Sequence, residues 1–171
     1  MRDNLPRMNT YDRRLAAIHE AGHILVAIQL GYTATGWIHP NDAHDPLSEK
    51  LWLGHTSIRN LRDDDHRRLI AVAGMVAERL WKHGHDEELS ESYAWENDLL
   101  DDNSMSESDW RMAGCEPAYP DDDMFSVVPE VARFFMTDAW SNLTGISRTL
   151  MSAPEDVHTF RYASQEHALA A

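Results

Sequence analysis

The sequence predicts a mainly α-helical fold with a small β-sheet or hairpin, an α+β arrangement. Two long stretches carry apolar residues at helical spacing, near residues 10–30 and 63–83, and a third follows near 129–151. Between the first two, residues 33–58 break into short extended pieces rich in Thr, Trp and Ile. The chain has 171 residues, which suits one domain with a real core. Residues 1–171 are therefore read as a single domain, with little to assign after about Pro154.

The first helix is expected from about Thr10 to Leu30, with Asn9 or Thr10 as cap and Gly31 as stop. Leu15, Ile18, Gly22, Leu25 and Val26 form its apolar stripe, and His19 and His23 lie beside that stripe, facing inward. Thr35–His39 and Leu51–Ile58 then read as two strands around the polar loop Pro40–Lys50. Asp63-Asp64-Asp65 suits the positive end of a second helix, which continues through Leu69, Val72, Val76 and Leu80 to Gly84. Residues 85–125 hold little periodicity. Within them Ser106-Glu107-Ser108-Asp109 has the form of a capping box opening a short helix that Gly114 and Pro117 end. A last helix is expected from about Pro129 to Met151.

Composition excludes some functions. A net charge of −14, with runs at Asp63–Asp65, Asp86–Glu88 and Asp121–Asp123, would repel nucleic acid and anionic membrane surfaces, so neither is expected as a partner. The acidic runs read as solvated faces. A single cysteine, Cys115, allows no internal disulfide, and the sequence shows neither a signal peptide nor a membrane-spanning stretch. A cytoplasmic protein is the expectation. Oligomeric state and substrate identity are not legible.

His19-Glu20-Ala21-Gly22-His23 carries the chemistry. Histidines four apart on a helix differ by about 40° around the axis and about 6 Å along it, so both reach one ion. In this HExxH pattern the histidines bind Zn²⁺ and the glutamate serves as general base. The alternative is a pair of core histidines satisfied by backbone, with Glu20 ion-paired. The flanking residues are apolar, however, and burying three polar groups without partners costs several kcal/mol. Gly22 in mid-helix, about 1 kcal/mol worse than Ala, points to an element packed close against it.

The stretch resembles the start of the peptidase domain of FtsH-type membrane AAA proteases, whose motif reads HEAGHA. Leu53-Gly54-His55-Thr56 stands where that family has a Leu-Gly-aromatic-Thr element, with His for the aromatic, and Ala73-Gly74-Met75-Val76-Ala77-Glu78 resembles its Gly-Gly-Arg-Ala-Ala-Glu stretch. The likeness covers roughly the first half of the chain. It implies a helical peptidase-like domain with the zinc site on the first long helix and an aspartate as third ligand. Two positions compete for that role. Asp109, in Ser108-Asp109-Trp110-Arg111-Met112-Ala113, keeps the family's Ala four residues on and is favoured; Asp98, in Glu96-Asn97-Asp98-Leu99, is the alternative. Either requires an insertion after Glu78.

The family's ATPase is not matched, since no G-x-x-x-x-G-K-[ST] occurs. The expected activity is thus zinc-dependent endopeptidase cleavage of short or unfolded chains, ATP-independent by itself, possible at His19, His23 and Asp109 with Glu20 as base. Leu53–Ile58 would hold such a chain by adding it to a sheet edge. The competing expectation is a non-catalytic zinc-binding protein that docks a partner. Of the other candidate ligands, His83, His85 and Asp86 read as solvated, and His39 and His44 have no third partner. The six tryptophans read as packing, with Trp110 a candidate for the cleft.

Overall fold

A computed structural model describes residues 5–41, 50–101, 104–117 and 119–161. Its elements are α1 (Leu5–Gln29), β1 (Ala34–Pro40), β2 (Trp52–Ile58), α2 (Asp64–His83), α3 (Glu96–Leu99), α4 (Glu107–Ala113), α5 (Asp122–Phe134), α6 (Trp140–Ser152) and β3 (His158–Phe160). The fold is mainly helical with one three-stranded antiparallel sheet of order β2-β1-β3.

Helix α1 is the spine, packed by α2, α6 and the sheet. It begins earlier than the capping signals at Asn9 and Thr10 suggest. Pro6 falls in the first turn, where a missing N–H costs no helical bond, so the helix extends back to Leu5. Asn9 instead accepts a hydrogen bond from the Trp52 indole. The other end stops at Gly31 as expected, through paired bonds from Tyr32 N–H to Ala27 C=O and Gly31 N–H to Ile28 C=O. The left-handed conformation this needs, φ 86°, is natural to glycine.

Strand β1 alternates faces, with Ala34, Gly36 and Ile38 buried toward α1 and Thr35, Trp37 and His39 on the outer face. It pairs with β2 in the register Trp37 opposite His55. On its other side lies β3, which the sequence did not announce, as three residues give too short an alternation to read. Among the described residues, strand β2 is consequently an edge. Most of the loop joining β1 to β2, including His44, lies outside the described residues.

Helix α2 has its expected limits, with the Asp63 carboxylate accepting from His66 N–H and Gly84 closing the end. Its middle, Ile70–Ala77, is fully buried between α1, α4 and α5. A Cβ at Gly22 would run into the Ala73 carbonyl, so Gly22 marks the close helix approach its cost implied. Residues 86–99 are short 3₁₀ turns and the single turn α3, pinned by the buried side chains of Leu89, Trp95 and Leu99.

The last helical region corrects the sequence reading. Helix α5 starts at Asp122, capped by Asp121, seven residues before Pro129, which is buried inside it. Asp121 is therefore a cap, and it also pairs with Arg68 at 2.9 Å, so this run is more than a solvated face. The expected single helix is broken at Thr137, whose φ −96°, ψ −165° is extended. The Thr137 hydroxyl donates to Phe134 C=O and accepts from Ala139 N–H, replacing helical bonds with side-chain ones. Among the described residues, no helix is long and apolar enough to cross a membrane.

Candidate metal centre and active site

His19, Glu20 and His23 lie on the buried side of α1, and Asp109 is brought to them by α4. Glu20 is 6% exposed, His23 3% and Asp109 4%. Each histidine is anchored through Nδ1. His23 meets the Ile70 carbonyl at 2.6 Å, and a carbonyl only accepts, so Nδ1 carries a proton and Nε2 is the atom turned toward the site. His19 Nδ1 lies 2.8 Å from Glu78 Oε1, the carboxylate partner typical of a ligating histidine.

The metal-facing atoms converge. His19 and His23 Nε2 are 3.0 Å apart, and the Asp109 oxygens lie 3.3 Å from His19 Nε2 and 3.4 Å from His23 Nε2. Ligands about 2.0–2.1 Å from a tetrahedral ion stand about 3.3 Å from one another. Two imidazole nitrogens and a carboxylate facing each other at these distances suit a cation or a shared proton among them. The donor set, two imidazole nitrogens and one carboxylate, could hold a metal ion, and its chemistry is compatible with Zn²⁺. Among the described residues these three form the one group of His, Cys, Asp and Glu side chains so arranged.

Burial disfavours a charge on His19, yet its bonds to Asp109 and Glu78 prevail and raise its pKa well above the ordinary value. For Glu78, burial is likewise outweighed by His19 and Lys82, and its pKa is lowered to about 2. Asp109 is held below the usual carboxylate range: burial opposes its charge, but the facing His23 and His19 and the Ser106 hydroxyl overcome it.

Asp109 is oriented before any metal arrives. The capping box is present in both directions, and Asp109 Oδ2 accepts from the Ser106 hydroxyl at 2.7 Å and from Ser106 N–H at 3.2 Å. Asp98 is not brought to the histidines. It sits on α3 and pairs with Arg79, whose guanidinium stacks over Trp95. Of the two candidates, the structure brings Asp109 and not Asp98 beside the histidines.

No protein-family model matches this chain, and no curated protein matches it. The site must be read from its own chemistry.

A cavity of about 220 Å³ opens over these groups, walled by α1, β2 and α4. Glu20 faces it beside the histidines, and Thr56 of β2 donates to Glu20 Oε2 at 2.6 Å. Two glycines make room. A Cβ at Gly74 would lie 2.6 Å from His19 Nε2 and His23 Nε2, and one at Gly54 would overlap the Glu20 carboxylate. Trp110 does not line the cavity; it is buried beneath α4, and Trp52 stands at the rim instead. His83 and His85 are exposed as expected, the latter against Trp140, and His39 bonds the neighbouring Pro40 carbonyl.

Sequence reasoning did not assign roles to Glu78, Thr56, Gly54 or Gly74. A signal for Glu78 existed: it follows Gly74 by four residues, so both face α1 from one side of α2.

Proposed function

We propose that this protein is a zinc-dependent metallopeptidase that cleaves short or unfolded chains, with His19, His23 and Asp109 as metal ligands and Glu20 as general base. The observation that carries the reading is Glu20 itself. A purely structural metal site does not need a buried carboxylate beside its ligands, held by a hydroxyl on an adjacent strand and facing a cavity.

The FtsH-type resemblance is supported by convergence. The three stretches on which it rests, His19–His23, Leu53–Thr56 and Ala73–Glu78, come from separate elements and meet at one cavity. When bound, zinc lowers the pKa of a coordinated water and polarises a carbonyl. Thr56 fixes Glu20 Oε2, leaving Oε1 to take the proton of the attacking water and return it to the leaving nitrogen. The free edge of β2 runs along the cavity and offers backbone pairing to an extended chain without regard to its sequence.

Glu20→Gln tests the reading directly. It should retain zinc and lose about 10²- to 10⁴-fold in cleavage of an unstructured peptide. Equal cleavage by parent and variant would remove the general-base role, and a zinc-loaded parent inert toward all peptides would favour the partner-docking reading.

A further inference from the structure

The inference rests on the peptidase reading above and concerns how substrate is held on the side away from β2. A peptide added to a sheet edge pairs only alternate residues with that edge. Its remaining N–H groups turn the other way and, once water is excluded, require acceptors. Ser106, Ser108, Asp109 and Met112, on α4 and its cap, line part of the cavity and include groups able to accept.

Hydrogen-bond directions there are fixed by counting protons. The Ser106 hydroxyl has one proton and gives it to Asp109 Oδ2, while accepting from Asp109 N–H at 3.2 Å. The Ser108 hydroxyl lies 2.7 Å from that of Ser106. With the Ser106 proton committed, Ser108 must be the donor in this pair. Its own oxygen then presents lone pairs only, on an exposed side chain lining the cavity. Of the other groups lining the cavity, Asp12 Oδ2 accepts the Leu51 N–H and Glu78 serves His19 and Lys82, while Thr56, which donates to Glu20, lies on β2 itself and not on the wall away from it.

We infer that Ser108 is a substrate-binding residue that accepts a backbone N–H from a peptide lying on the β2 edge, its hydroxyl oriented by the chain Ser108 to Ser106 to Asp109. This ties substrate binding to the same carboxylate that completes the metal site. Ser106 keeps the ligand in place; Ser108 addresses the substrate.

The test uses zinc-loaded Glu20→Gln protein, which holds a peptide without cutting it. Affinity is measured for an unstructured peptide and for versions N-methylated at one amide at a time, with Ser108 intact or changed to Ala. Ser108→Ala should weaken binding roughly 5- to 10-fold, Ser108→Thr should restore it, and zinc affinity should be unchanged. One N-methyl position should weaken binding to the Ser108 protein by a similar factor and have no further effect on Ser108→Ala. Peptide affinity that ignores Ser108→Ala, or zinc loss in that variant, would overturn the inference. Cleavage by the otherwise unmutated protein separates the two readings. If it cuts peptides while affinity ignores Ser108, this inference fails alone; if it cuts none while binding depends on Ser108, the peptidase reading fails and the binding role stands.

Discussion

The two halves of the proposed metal centre are built differently. His19, Glu20 and His23 ride on a 25-residue helix pressed against the fully buried middle of the 20-residue α2. Asp109 arrives on a seven-residue helix that follows a run of short turns. The first half is positioned by long-range packing, and its spacing is set by the helical repeat. The second is positioned by local bonds, the reciprocal capping box and the burial of Trp110 and Ala113 beside it. The long helix sets the separation of the two histidines; the short one holds its aspartate by its own cap.

The sharpest way to break the packed half is Gly74→Ala. In an open helix this change would stabilise by up to about 1 kcal/mol. Here the new methyl would lie 2.6 Å from both histidine Nε2 atoms, on the face they present to a metal. Zinc affinity should fall by about three orders of magnitude or more, well beyond the 10- to 100-fold typical of outer-shell changes. Circular dichroism should still show a helical protein, since overpacking of this size costs about 1–3 kcal/mol. Zinc binding at parental affinity would show that the histidines do not act from this face.

On the locally built half, Asp109→Ala and Asp98→Ala should separate cleanly. Loss of Asp109 removes one of three ligands and leaves two facing imidazoles, so zinc affinity should drop by more than about 100-fold. Loss of Asp98 breaks a partly exposed pair with Arg79, worth about 0–1 kcal/mol of stability, and should leave zinc binding alone. Isothermal titration with zinc, read beside a urea titration, checks both. The reverse pattern would reinstate Asp98.

The same contrast explains what the sequence revealed. Periodicity over many residues placed α1, α2 and the inward-facing histidines, and Gly22 signalled the helix contact before α2 was located. The Ser106–Asp109 box was legible because both its bonds are local. Pro129 misled, since proline at a first helical position and proline tolerated inside a buried helix look alike in sequence, and Asp121 had been absorbed into an acidic run. The break at Thr137 depends on one side chain capturing backbone partners, which leaves the apolar pattern on either side intact. Glu78, Thr56, Gly54 and Gly74 acquire their roles only when β2 and α2 are docked on α1, a fact of tertiary structure that spacing within each segment does not contain.

Glu78 bridges packing and local bonding, and its replacement should weaken the metal less than loss of Asp109 does. Glu78→Gln keeps the shape and an acceptor for His19 Nδ1 but removes the charge, so zinc affinity should fall about 10- to 100-fold. The metal-free protein sharpens the prediction through pH. The folded pKa of Glu78 is lowered from 4.5 to about 2, so its contribution is present above pH 4.5 and is lost as pH falls through about 2. His19 has a raised pKa, so its contribution is present below pH 6.5 and is lost as pH rises through the folded value. Both terms operate together between about pH 4.5 and 6.5. Urea denaturation of the metal-free forms should therefore show the largest gap between parent and Glu78→Gln in that window, closing toward pH 2 and narrowing as pH rises past the raised pKa of His19. A gap independent of pH would mean that Glu78 holds His19 by shape alone.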